Sequence, residues 1–196
     1  MNLNNFTIKA QEAIQQAFQI AQGNNQQSIE PGHILKGLTH SAENVVEFLL
    51  KKLGVNTSVF QQAADKIVES YPRVTGGEPY ISTTANRALQ KALALAQEMG
   101  DQYVSVEHVL LALLDAGDSV SRLMKDNGIT KKDLQKAIQE LRKGSKVDSQ
   151  TAEDRFNSLN RFALNLNERA RSGKLDPVIG RDEEIRNSIR ILSRKR

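Results

Sequence analysis

The chain has 196 residues and no cysteine, and its 27 Lys and Arg against 23 Asp and Glu give a net charge of +4. The lack of cysteine excludes disulfide scaffolds, thiolate catalysis and Cys-based metal sites, and it favours a reducing, cytoplasmic location. With 39% hydrophobic and 5% aromatic residues, the chain can bury a core. The sequence gives no support for a nucleic-acid surface of basic and stacking residues, for a membrane span or for a signal peptide.

An internal repeat organises most of the sequence. Residues of matching type recur 75 positions apart, and after one deleted residue the match resumes at 74 positions. The aligned pairs include Thr7 with Ser82, Ala17 with Ala92, His33 with His108, Leu35 with Leu110, and Gly54 with Gly128. Residues 1–143 are therefore predicted to be a tandem duplication, with repeat one at about 1–72 and repeat two at about 80–143.

Each repeat is predicted to contain four helices, because capping residues and apolar positions at helical spacing recur in both copies. The predicted first residues or caps are Thr7 and Ser82, then Pro31 and Ser105, then about Val45 and Ser119, and finally Asn56 and Thr130. Gly54 and Gly128 are predicted to end the third helices. Residues 71–79 contain Pro and Gly and predict a loop between the copies. We expect the two copies to pack as one pseudo-twofold, all-α domain.

A linker and a further helix are predicted after the duplication, over residues 144–172. Residues 144–150 are small and polar and predict a hinge. Glu153–Arg171 is predicted to be helical, because Phe156 begins a series of apolar residues at steps of three and four. That apolar face requires a partner.

Residues 173–186, GKLDPVIGRDEEIR, resemble the entry to the first ATPase module of the Clp family of AAA+ unfoldases. The duplicated region is similar to the amino-terminal domain of the same family. Residues 28–35 and 150–154 resemble the members of this family that are disaggregases. The resemblance implies that the chain is an amino-terminal fragment, in which residues 173–196 are the truncated start of the first ATPase domain.

The resemblance also implies what the parent protein uses and what this chain lacks. Val178 and Ile179 match a stretch that lies against the adenine in complete family members. The chain contains no G-x-x-x-x-G-K-[ST] phosphate loop, so we expect no enzymatic activity and no cofactor for the fragment. The parent is expected to be an ATPase that uses ATP and magnesium. We expect a monomeric fragment, a homohexameric parent, and cooperation with a DnaK-type chaperone system through other parts of the parent.

A client-binding site is implied by the resemblance as well. The domain is expected to bind apolar segments of unfolded or aggregated proteins and to pass them to the ATPase ring. A trio implicated in client handling matches Thr7, Asp101 and Glu107, and Leu89 and Tyr103 would supply an apolar floor between the repeats. Each member of the trio also has a structural explanation, as a helix cap, a turn residue and a first-turn carboxylate respectively.

Two other functions stay open at this stage. One is the amino-terminal domain of a Clp unfoldase that feeds a peptidase and binds clients or adaptors. The other is a helical adaptor or a nucleic-acid-binding module. His33 and His108 occupy equivalent first-turn positions, which favours capping or packing, and no catalytic residue or metal site is predicted.

Overall fold

The computed structural model of the chain describes residues 2–156. Its elements are α1 (Ile8–Gly23), β1 (Ser28–Ile29), α2 (Pro31–Ser41), α3 (Glu43–Lys52), α4 (Thr57–Glu69), β2 (Tyr80–Ile81), α5 (Thr83–Glu98), α6 (Val106–Leu113), α7 (Ser119–Asp126) and α8 (Lys131–Arg142). Residues 152–156 are also helical. The rest of the expected linker helix, the expected ATPase start at residues 173–196, and Val178 and Ile179 all lie outside the described residues.

The predicted helix boundaries are confirmed in both repeats. The hydroxyl groups of Thr7 and Ser82 accept hydrogen bonds from amides in the first turns of α1 and α5, at 3.2 and 3.0 Å. α2 begins at Pro31, whose ring needs no amide partner at the first helical position. Gly54 and Gly128 follow α3 and α7 with φ of +73° and +77°, the left-handed conformation that glycine adopts without steric penalty.

The two repeats are joined by a pair of equivalent backbone contacts. In one, β1 pairs with β2 in parallel, and the Ser82 amide donates to the Ile29 carbonyl at 3.0 Å. In the other, Phe6 bridges to Val104, and the Thr7 amide donates to the Val104 carbonyl at 2.9 Å. The sequence does not predict these contacts, because a two-residue strand is too short to show an alternating pattern. They place the start of each repeat's first helix against the loop before the other repeat's second helix.

One continuous apolar core spans both repeats, as the prediction of a single pseudo-twofold domain requires. α2 contacts α6, α3 contacts α8, and α4 contacts α7. Alanines on α1 and α5 let neighbouring helices approach closely. One close approach is at Gly37 of α2, where an added Cβ would collide with the backbone carbonyl of Ala13.

The packed unit continues past the expected boundary at residue 143. Val147 and Phe156 are 0% and 1% exposed. The Val147 carbonyl accepts from the Gln102 amide at 2.9 Å, and the Gln150 carbonyl accepts from the Ile8 amide at 2.9 Å. The segment predicted to be a hinge is therefore held against both repeats. The polar composition of this segment does not indicate the packing, because most of the segment's polar contacts are made by its backbone and few of its side chains enter the core.

Candidate functional site

The residues predicted to bind clients do not line an open surface. The exposed fraction is 0% for Thr7 and Glu107, 1% for Leu89 and 8% for Asp101. Leu89 lies in the main core, and the partly buried Tyr103 packs against that core. The other three residues meet at one place, where the start of α1 faces the loop between α5 and α6.

Buried polar groups surround the predicted trio at this place. We call this group the charged junction, and it consists of Thr7, Asp101, Glu107, His108, Arg142 and Glu153. Sequence reasoning missed Arg142 and Glu153. One signal in the sequence pointed to Arg142. The residue aligned with it on α4 is Val68, an apolar residue that is 1% exposed, so the arginine occupies a position of α8 that is expected to be buried.

Arg142 binds both carboxylates of the second repeat. Its Nη1 donates to Asp101 Oδ2 at 2.8 Å, and its Nη2 and Nε donate to Glu107 Oε2 at 2.9 and 3.3 Å. Burial alone would lower the pKa of Arg142, but the charge of Glu107 and the hydrogen bonds to both carboxylates raise it. Arg142 therefore carries a permanent positive charge beneath the protein surface.

His108 connects the start of α6 to Asp101. Its Nδ1 accepts from the Ser105 amide at 2.9 Å, so the imidazole carries its proton on Nε2. Nε2 then donates to Asp101 Oδ2 at 2.8 Å. Burial would raise the pKa of Asp101, but the bonds from His108, the Val147 amide and Arg142 outweigh it and lower the pKa to about 2. The prediction of a capping role for His108 is confirmed.

Glu153 brings a further carboxylate into the junction from the segment after α8. Its Oε1 accepts from the Thr7 hydroxyl at 2.5 Å and from the Val106 amide at 3.2 Å. Its Oε2, like Oε1 of Glu107, has no hydrogen-bond partner among the described residues. Burial, followed by repulsion from Glu107, raises the pKa of Glu153 to about 7. The junction thus binds a proton near neutral pH.

The equivalent place in the other repeat contact has no charged side chain among its fully buried residues. We call it the neutral junction, and it consists of Gln26, Gly32, His33, Tyr71 and Ser82. His33 Nδ1 accepts from the Glu30 amide at 2.9 Å, and its Nε2 bonds to Gln26 Oε1 at 2.6 Å. The Tyr71 ring lies 5.1 Å from the His33 ring, and its hydroxyl accepts from the Gly32 amide at 3.1 Å. Tyr71 thus lies over Gly32, the position aligned with Glu107.

The sequence profile of the Clp repeat (R) N-terminal domain matches residues 5–127. The chain belongs to this family. The match covers both repeats through α7, which includes five members of the neutral junction and four members of the charged junction. Arg142 and Glu153 of this Clp N-terminal domain lie beyond the matched residues.

Relatives with the name chaperone protein ClpB match the whole chain. Those from Bacteroides thetaiotaomicron and Porphyromonas gingivalis are 56% and 51% identical over 195 residues, which is 100% of this chain. The chain spans 23% of the length of these curated relatives and corresponds to their amino-terminal part.

Solved structures share the fold. The Hsp104 N-terminal domain from Candida albicans is 25% identical with a TM-score of 0.68, over 76% of this chain and 99% of that one. A ClpV N-domain in complex with a VipB peptide is 19% identical with a TM-score of 0.58, over 71% and 90% of the two chains. The first of these, with the ClpB relatives, groups this Clp N-terminal domain with those of ClpB/Hsp104-type AAA+ chaperones.

A second surface feature lies on repeat one, between α1, α2 and α4. It is a half-open cavity of about 490 Å³ whose lining includes Gln16, Lys36, Phe60 and Gln61. Among residues 2–156, no three His, Asp or Glu side chains are grouped to hold a metal ion. No helix in that range combines the length and apolarity needed to span a bilayer.

Proposed function

We propose that this chain is the client-docking domain of an ATP-driven protein disaggregase. The observation that carries the proposal is the 56% identity to a ClpB chaperone across 100% of the chain. A fold match to a ClpV N-domain in complex with a peptide supports it, because that domain binds a polypeptide segment. The clients would be apolar segments of unfolded or aggregated proteins.

The client site is proposed at the charged junction, around Thr7, Asp101 and Glu107, with Leu89 and Tyr103 as its apolar floor. The support is that a polypeptide segment already lies there. Residues 145–156 run across the junction with one extended stretch and one helical turn, and bury Val147, Ala152 and Phe156 in the core. Backbone pairing combined with spaced apolar side chains is a common way of binding a peptide whose sequence varies.

The longer protein would supply the motor. We propose that it hydrolyses ATP with magnesium, forms a homohexamer, cooperates with a DnaK-type chaperone system and acts in the cytoplasm. Within this arrangement the domain needs only modest affinity for a client, because a tether keeps it at high effective concentration near the motor.

The test is a titration of the isotope-labelled chain with an unfolded protein whose cysteines are reduced and carboxymethylated, and with the same protein in its folded form. Amide shifts should appear only with the unfolded form, within residues 5–8 and 101–107. Tyr103→Ala should weaken binding about five- to tenfold through loss of an aromatic contact. Its control, Tyr80→Ala, removes a 54% exposed ring near the neutral junction and should change binding less than twofold.

Other results would point elsewhere. If Gln61→Trp, which fills the cavity on repeat one, abolishes binding while Tyr103→Ala has no effect, clients dock in that cavity. Steep salt-dependent binding to DNA without preference for unfolded protein would identify a nucleic-acid module instead. Binding only to folded adaptors would favour the amino-terminal domain of a peptidase-linked unfoldase.

A further inference from the structure

The segment that covers the charged junction is held by a small set of hydrogen bonds and by three buried apolar side chains, Val147, Ala152 and Phe156. Its backbone bonds include the Val147 carbonyl to the Gln102 amide, the Val147 amide to Asp101 Oδ1 at 3.0 Å, and the Gln150 carbonyl to the Ile8 amide. Ile8 is the first residue of α1, so its amide has no partner within the helix. None of these bonds is part of the backbone hydrogen-bond ladder of a helix.

Glu153 is the deepest polar anchor of this segment, and its charge is poorly compensated. Its Oε2 and Oε1 of Glu107 are both buried without a hydrogen-bond partner among the described residues. The nearby cation, Arg142, is already bonded to Asp101 and to the other oxygen of Glu107. A buried carboxylate without a counterion is strongly unfavourable, whereas its protonated form is tolerated.

We propose that residues 145–156 are a removable cover over the client site, and that a proton on Glu153, next to Glu107, latches this cover in place. The inference rests on the proposed function. With the proton bound, the segment occupies the place that a client peptide would take. When the proton is lost, the two carboxylates repel each other, the docked state of the cover is weakened, and Thr7 and Glu107 become accessible to a client in a larger fraction of molecules.

The direction of the pH dependence follows from the pKa of Glu153, which is about 7 when docked against an ordinary value of 4.5. Docking takes up a proton, so it is favoured below pH 4.5 and weakened as the pH rises through 7. Between pH 6 and pH 8 the docking equilibrium should change by about tenfold. Alkaline conditions shift the equilibrium towards the open cover, and mildly acidic conditions shift it towards the closed cover.

The other titratable and charged groups at this place come from three elements. α6 contributes Glu107 and His108, α8 contributes Arg142, and the loop before α6 contributes Asp101. α1 contributes the uncharged hydroxyl of Thr7. The pKa of Asp101 is lowered to about 2, so Asp101 stays ionised throughout the range in which Glu153 titrates.

Amide hydrogen exchange on the whole chain tests the latch without any client. After correction for intrinsic base catalysis, the amides of Ile8 and Gln102 should be about tenfold more protected at pH 6 than at pH 8. The Ser82 amide, which bonds to Ile29 in the neutral repeat contact, should show no such change. Equal protection of Ile8 and Gln102 at both pH values would overturn the latch.

A matched pair of variants tests the same point. Glu153→Gln mimics the protonated group, so it should keep the cover closed at pH 8 and remove the pH dependence. Asp148→Asn removes a carboxylate from the same segment, but this group is exposed and paired with Arg155 at 2.7 Å. The control should behave like the unchanged chain in both exchange and client binding.

Client binding then decides whether the cover gates the site. With the carboxymethylated unfolded protein at pH 8, Glu153→Gln should bind up to about tenfold more weakly than the unchanged chain. Phe156→Ala, which loosens the cover, should bind more tightly. Exchange that responds to Glu153→Gln without any change in client affinity would overturn the gating role. Absence of binding in every variant would overturn the proposed function, and the exchange result distinguishes that failure from failure of the latch.

Discussion

The charged junction and the neutral junction have the same backbone arrangement and the same histidine cap, but their side chains are satisfied differently. His33 and His108 each accept the amide of the residue before their helix at 2.9 Å. Their Nε2 atoms bond to aligned residues, Gln26 at 2.6 Å and Asp101 at 2.8 Å. Beyond these bonds, the neutral junction adds Tyr71, whereas the charged junction adds Arg142, Glu107 and Glu153.

This difference indicates that the neutral junction serves only to hold the fold together. The neutral junction needs no buried charge, so it shows that the fold closes this contact with uncharged groups. The charged junction retains unpaired carboxylate oxygens on Glu107 and Glu153, which reduces stability. Buried polar groups that lack hydrogen-bond partners in this way are expected at functional sites.

Among the variants that compare the two junctions, loss of Arg142 should have the largest effect on stability. Arg142→Met leaves Asp101 and Glu107 buried without their cation, and we expect the free energy of unfolding to fall by about 3–5 kcal/mol. Urea denaturation at pH 7 measures this loss. Val68→Ala at the aligned position of α4 removes only apolar volume and should cost less. Equal losses for the two variants would mean that the charge of Arg142 is unimportant.

The two junctions should respond to acid in opposite directions. Burial lowers the pKa of His33 to about 4; the charge of Glu30 partly opposes this effect, and the charge of Lys36 adds to it. The unfolded chain therefore takes up this proton first, and stability falls between pH 6.5 and 4. Glu153, with a pKa of about 7, takes up its proton first in the folded state, so stability rises as the pH falls from 7 to 4.5.

Single variants separate these opposite effects. Between pH 7 and pH 5 each group should change the free energy of unfolding by about 2 kcal/mol. Relative to the unchanged chain, Glu153→Gln should lose stability on acidification, and His33→Gln should gain it. Urea denaturation at both pH values measures the change. The same pH dependence in both variants would contradict the assigned directions.

The two junctions also differ sterically at Gly32, which leaves room for the Tyr71 ring in the neutral junction. An added Cβ would lie 2.6 Å from the Tyr71 hydroxyl, so Gly32→Ala should cost about 1–3 kcal/mol through overpacking. The cost should nearly vanish when Tyr71 is also replaced by Ala, which a double-mutant cycle measures by denaturation. An unchanged cost in the Tyr71→Ala background would assign the effect to the helix backbone instead of to the ring.

The sequence predicts what the repeats have in common better than what distinguishes them. Helix caps such as Thr7 and Ser82 follow from local chemistry and recur at one offset, so the helices and the pseudo-twofold core were predicted. The ion pairs of Arg142 join residues 35 and 41 positions apart, which no local pattern indicates. Glu153 lies 146 positions from Thr7, in a polar segment that composition alone describes as a hinge.

The helix caps provide the smallest and most direct test of the comparison. Ser82→Ala removes only the bond to the first turn of α5, so it should cost about 1 kcal/mol. Thr7→Ala removes the equivalent bond and also the hydroxyl that donates to Glu153 at 2.5 Å. It should therefore cost more at pH 5, where the segment is docked, and approach the cost of Ser82→Ala at pH 8. Denaturation at both pH values measures the two costs, and a difference that does not depend on pH would show that the Thr7 hydroxyl acts on α1 alone.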